Sequence, residues 1–147
     1  MSDAQRKGRC LCGAVKFSIT GEPNWVLHCH CESCRRATSS PMTTWVSVPN
    51  AHFHLEQGEP KYFTSSPGAT RSFCPDCGSP LSFAHERWPG EIHLYVASFD
   101  DPDSFAPDRH VFFGERIGWM DVHDALPRFD SLSGGGRDPD SLGPKAE

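Results

Sequence analysis

The chain has 147 residues, 37% of them hydrophobic and 22% charged, with a net charge of −5 at pH 7. That is one domain's length, enough to bury a core without disulfide staples. The acidic balance supplies no basic field for a nucleic-acid backbone or an anionic membrane surface. The polar start, Met1 to Arg9, lacks a signal peptide's apolar region, and no stretch nears the roughly 18 apolar residues of a membrane span, so a cytoplasmic protein is expected.

In chain order, Gly13 to Thr20 alternates, with Val15, Phe17 and Ile19 on one side, and predicts a half-buried strand. Trp25-Val26-Leu27 predicts a second strand leading into His28-Cys29-His30-Cys31, and Glu32 to Ala37 one or two helical turns. Thr43 to Val48, rich in β-branched and aromatic residues, reads as a strand. Phe53 and Leu55 alternate with His52 and His54, whose rings are expected to face solvent. Lys61 to Thr64 is a short strand, and Pro67-Gly68 marks a turn. Arg71-Ser72-Phe73 leads into Cys74, and Leu81 with Phe83 continue as a strand. Ile92, Leu94 and Val96 give the clearest alternation of the second half, Asp100 to Asp108 is an acidic loop, and Val111-Phe112-Phe113 predicts a last long strand. Short strands with almost no helical periodicity predict a mainly β fold. Residues 1–130 are expected to form a single domain, and 131–147, rich in Gly, Ser, Pro and charge, a flexible tail.

Seven cysteines cannot all pair, and reducing compartments keep thiols free, so metal binding is the expected use. Cys74-Pro75-Asp76-Cys77-Gly78 has the spacing of a zinc knuckle, and Cys10-x-Cys12 is the clean pair that completes a tetrahedral four-cysteine site. Cys29, Cys31 and Cys34 remain. Three thiolates without an evident fourth ligand describe an open zinc site, the usual arrangement for catalysis. His28 or His30 would close it, although alternation along a strand points them away from Cys29 and Cys31. An electron-rich three-thiolate zinc is a weak hydroxide source but a good host for a substrate thiol, which it keeps deprotonated and nucleophilic. Arg35, directly after Cys34, is placed to offset the site's charge or to bind substrate carboxylates; Arg36 reads as a solvated surface charge. The isolated histidines His85, His93, His110 and His123 carry no sequence signal for catalysis.

Three stretches together point to a family. They are Gly8-x-Cys10-x-Cys12-Gly13-Ala14-Val15, Cys29-His30-Cys31-x-x-Cys34-Arg35 and Phe73-Cys74-x-x-Cys77-Gly78-x-x-Leu81. With Gly58-Glu59-Pro60, Trp119 and Ala125-Leu126-Pro127-Arg128-Phe129, the chain resembles the glutathione-dependent formaldehyde-activating enzyme (GFA) family, also called centromere-protein-V-like, from Gly8 to about Asp130. The resemblance implies a zinc-containing β-tent of antiparallel sheets and two zinc ions per chain. Cys10, Cys12, Cys74 and Cys77 would hold the structural ion, and Cys29, Cys31 and Cys34 the catalytic one. It implies a carbon–sulfur lyase joining glutathione, or a related thiol, to formaldehyde or another aldehyde. Arg35, Phe73 and Trp119 are the candidate substrate contacts. Two other readings stand beside this one: a non-enzymatic zinc-binding module, and a thiol-based sensor using the three-cysteine cluster.

Overall fold

The computed structural model describes residues 4–131, and the expected tail beyond Ser131 lies outside the described residues. The fold is mainly β. The strands are β1 (Arg6–Arg9), β2 (Lys16–Ile19), β3 (Trp25–Cys29), β4 (Thr43–Pro49), β5 (Phe53–Gln57), β6 (Lys61–Ser66), β7 (Ala69–Phe73), β8 (Pro80–His85), β9 (Glu91–Tyr95) and β10 (His110–Val111). A short helix, α1 (Glu32–Thr38), follows β3. Among the described residues no helix is long and apolar enough to cross a membrane.

The described residues fall into two compact units. The first comprises the chain through Trp25 together with Val46–Phe105. It contains a three-stranded sheet, β1-β2-β5, and the strand order β4-β9-β8-β7-β6. The pairs β1–β2, β2–β5, β6–β7, β7–β8 and β8–β9 are all antiparallel. Val15, Phe17 and Ile19 are all buried, as their alternation predicts. Ser18 is buried too, and its hydroxyl donates to Glu56. Phe17 meets Phe99 edge to face at 5.1 Å, and Phe99 packs on Phe105 at 4.7 Å.

β9 is buried on both faces. Leu94 carries the expected face, but His93 and Tyr95 are buried as well. The His93 ring lies among Trp25, Phe83 and Trp88, and its Nε2 is 2.7 Å from Glu91. Glu91 also accepts from the Ser47 hydroxyl at 3.0 Å. A polar residue on the second face of an inner strand is tolerated because its hydrogen bonds are made.

Gly58 shows how tightly the turn after β5 seats on the chain before β2. Its φ is +78°, and a Cβ there would lie 2.2 Å from the Ala14 carbonyl oxygen. Neither the backbone angle nor the carbonyl can yield cheaply. Gly58→Ala should lower stability by about 2–3 kcal/mol, read as a lower urea midpoint with unchanged slope.

The second unit comprises Val26–Trp45 together with the chain from Ala106 on. Here the order is β10-β3-β4. β10 runs parallel to β3, with His110 opposite His28 and Val111 opposite Cys29. The long strand expected at Val111-Phe112-Phe113 is not formed. β10 ends at Val111, Phe112 takes a left-handed φ of +52°, and Phe113–Glu115 form a 3-10 turn. Interactions beyond the local sequence hold that turn. The Arg116 guanidinium lies 4.0 Å from the Phe113 ring centroid and donates to the Phe113 carbonyl at 2.9 Å, while the Phe113 N–H bonds the Phe129 carbonyl.

Candidate metal centres

In the first unit, Cys10 follows β1 and Cys12 sits in the turn toward β2. The knuckle between β7 and β8 supplies Cys74 and Cys77. The Gly78 N–H closes the knuckle on the Cys74 carbonyl at 2.8 Å, with Gly78 at φ +79°. The Leu11 N–H donates to the Ser79 hydroxyl at 3.0 Å and ties the two halves together. The four sulfurs all lie within 4.8 Å of one another. Cys10 and Cys74 are buried, whereas Cys12 is exposed.

The sulfurs are crowded and rich in donors. The Ser79 hydroxyl bond, with further help from backbone N–H groups, lowers Cys77 to about 5. Cys12 responds in the opposite way. The Ala14 N–H favours its thiolate, but lost hydration and the Cys10, Cys77 and Cys74 sulfurs push it up to about 12. Negative charge already placed on one sulfur thus keeps protons on another. A divalent cation would replace those protons, so the donor set suits a thiophilic ion.

In the second unit, Cys29 ends β3 and Cys31 is the N-cap of α1. The Cys31 sulfur accepts the Cys34 N–H at 3.4 Å, which leaves Cys34 in the first helical turn facing back. Cys29 and Cys34 are buried, with sulfurs 3.9 Å apart. All three sulfurs lie within 4.8 Å of one another, and no fourth cysteine, histidine or carboxylate among the described residues joins the group. The bonds from Cys31 and Cys34, together with burial, push Cys29 well above its ordinary value. For Cys31 the Cys29 bond favours the thiolate, but Cys34 and burial prevail and push it up to about 11. A cation is what would let these thiols ionise together.

His28 and His30 face other partners. His28 Nδ1 lies 2.9 Å from the Thr44 hydroxyl, and His30 Nε2 lies 2.9 Å from His110 Nδ1. Arg35 shares the unit of the three cysteines. One guanidinium nitrogen donates to the Glu115 carbonyl at 3.3 Å, while its Nε is buried with no hydrogen-bond partner. Arg36 is exposed and pairs with Glu32 at 2.7 Å. Trp119, in the second unit, is 70% exposed. Phe73, in the first unit, is half-buried against Phe63.

The structure also assembles a group that sequence spacing did not reveal. His110 Nε2 lies 3.0 and 3.1 Å from the two oxygens of Asp124, and the His28 ring stacks on His110 at 4.8 Å. The ligand atoms of His28, His110 and Asp124 lie within 4.8 Å of one another. Burial lowers both His28 and His110, and burial with the nearby His110 lowers His30 to about 3. Burial works against ionised Asp124, but bonds from His110 and the Leu126 N–H hold it below the usual carboxylate range. Eighty residues separate His30 from His110, so no local pattern could have joined them.

The chain is similar to several known proteins. A Halomonas elongata protein named "Putative glutathione-dependent formaldehyde-activating enzyme" is 29% identical over 127 residues, covering 79% of this chain and 80% of its own length. An "uncharacterized lyase" of Schizosaccharomyces pombe is 35% identical over 123 residues, covering 84% and 89%. A crystal structure of a Rhodobacter sphaeroides protein superposes with a TM-score of 0.54 at 23% identity, over 64% of this chain and 87% of that one, which establishes likeness of fold. The family profile described as glutathione-dependent formaldehyde-activating enzyme matches residues 5–115, and the chain belongs to that family.

Proposed function

We infer that the protein is a zinc-dependent carbon–sulfur lyase that interconverts a thiol and an aldehyde with their hydroxymethyl-type adduct, glutathione with formaldehyde being the reference pair. The observation that carries this reading is the convergence of the Cys29, Cys31 and Cys34 sulfurs, with no fourth ligand in the group among the described residues. The names of the two curated relatives support the same chemistry. A zinc ion held by these three thiolates would keep a substrate thiol deprotonated and nucleophilic.

In the addition direction the thiol sulfur forms a bond to the carbonyl carbon, the C=O π pair moves to oxygen, and oxygen takes up the proton the thiol gave up. The lyase direction reverses each change. The chain's own part is to hold the three sulfurs in place and to orient the substrate. Arg35 is the group we assign to a substrate carboxylate, because its half-buried cationic side chain directly follows Cys34. The exposed Trp119 indole offers an apolar contact for the same substrate.

The test must exceed the uncatalysed background, since thiols add to formaldehyde unaided. Exchange between free and adducted glutathione, followed by NMR, should be accelerated saturably by the zinc-loaded protein. Chelation should remove the acceleration and zinc should restore it. A rate equal to the spontaneous one would leave the non-enzymatic binding module as the better reading.

A further inference from the structure

His30 is fully buried, and its Nδ1 has no hydrogen-bond partner among the described residues, although its neighbours in sequence are Cys29 and Cys31. Its other nitrogen begins a chain of polar contacts that runs through buried His110 to Asp124 at the surface. The chemistry of these groups fixes the direction of every bond. Ionised Asp124 only accepts, so His110 Nε2 carries a hydrogen and donates to it. Neutral His110 then has a bare Nδ1, which accepts from His30 Nε2–H. That leaves His30 Nδ1 bare.

The anchor is itself held. Asp124 accepts the Leu126 N–H at 3.0 Å and lies 3.5 Å from the Arg128 guanidinium. The His110 backbone is bonded on both sides, its N–H to the Pro127 carbonyl and its carbonyl to the Phe129 N–H, each at 2.8 Å. At the other end, the His30 N–H bonds the Val111 carbonyl at 3.1 Å, and the His30 ring packs edge-on against Phe113. An apolar side chain could fill the same space without a buried orphan atom. What the histidine adds is direction: backbone and ring are both fixed between two sulfur-bearing residues.

We propose that Asp124 and His110 are positioning residues for the three-cysteine centre, acting through His30 to lock the Cys29–Cys31 segment in the conformation that converges its sulfurs. The proposal rests on the reading that this cluster holds a metal ion. Polar partners that orient ligand-bearing groups commonly change metal affinity by about 10- to 100-fold when removed.

The experiment loads wild type, Asp124→Ala and Asp124→Asn with zinc and measures retention of each ion against graded chelator. Cobalt-substituted samples are followed by thiolate-to-cobalt absorption. Asp124→Ala should release the second zinc at about tenfold lower chelator, with the four-cysteine zinc unmoved and the cobalt–thiolate bands weakened. Asp124→Asn keeps an oxygen that accepts from His110 and should restore most of the difference. Long-range proton–nitrogen NMR should find His30 protonated on Nε2 in wild type and mixed in Asp124→Ala. Equal retention in all three proteins would overturn the brace alone. Equal weakening of both zincs would reduce it to a general contribution to stability. A wild type that binds only one zinc would end both this proposal and the lyase reading. A third ion lost with Asp124, the three-cysteine site unchanged, would make His28, His110 and Asp124 a metal site and overturn the brace.

Discussion

Cys74→Ser is expected to give a protein that fails to fold in the first unit, seen as loss of soluble yield and of a cooperative thermal transition. Cys74 is completely buried, its sulfur lies 3.9 Å from that of Cys12, and its backbone closes the knuckle through Ser79 and Gly78. A structural zinc contributes on the order of 10 kcal/mol to the fold that creates its site, and that is comparable to the roughly 5–15 kcal/mol by which whole domains are stable. Losing one ligand also leaves three crowded sulfurs that can no longer ionise together. None of the seven cysteines is in a disulfide, so reductant should have no such effect while a strong chelator should reproduce it. A soluble variant that melts cooperatively with one zinc missing would show that the four-cysteine site is not structural.

Cys31→Ser should behave in the opposite way, removing the activity while keeping the fold. The Cys31 sulfur has two roles: it belongs to the three-sulfur group, and it caps α1 by accepting the Cys34 N–H. Serine is among the best N-caps but a poor zinc ligand, so it separates those roles. Zinc content should fall from two ions per chain to one, and thiol–aldehyde exchange should fall to its spontaneous rate with the thermal midpoint almost unmoved. Cys31→Ala loses the cap as well and should cost about 1 kcal/mol more in stability. Full activity in Cys31→Ser would remove the three-cysteine centre from the mechanism.

The two cysteine groups were legible because their chemistry is written in residue type and spacing. A knuckle needs two sulfurs around a tight turn, and Cys74-Pro75-Asp76-Cys77-Gly78 states that locally. The strands around Phe17, Trp45 and Leu94 were legible for a similar reason, since β-branched and aromatic residues mark a pleated, half-buried surface. β1 was not. Arg6–Arg9 is polar, and it becomes a strand by pairing with β2, with the Arg6 guanidinium lying over Phe105 at 4.6 Å. The end of β10 was hidden because Phe112 is an apolar residue in a left-handed conformation, imposed by contacts of Phe113 with Arg116 and Phe129. The His30–His110–Asp124 chain was hidden because single histidines and aspartates have no periodicity to betray them. The parallel pairing of β10 with β3 brings His110 to His30, and the bonds of Pro127 and Phe129 to the His110 backbone bring up the chain that carries Asp124.

The two sulfur clusters differ in how far the chain must return to complete them, and this sets an order of assembly. Cys29, Cys31 and Cys34 span six residues, whereas Cys12 and Cys74 are 62 positions apart. Closing the longer loop costs about 2 kcal/mol more in chain entropy than closing the short one. The short cluster also has all three of its sulfurs as soon as Cys34 has been synthesised, although the His110–Asp124 brace comes later, while the other waits for Cys77 and for the sheet between them. If both groups bind zinc as proposed, metal would be captured first at the local cluster on a nascent chain, and the distant pairs would close around the second ion as the first unit folds. Under metal scarcity the late, fold-coupled site is the one that goes short, so shortage should yield unfolded chains that carry one ion rather than folded chains that lack one.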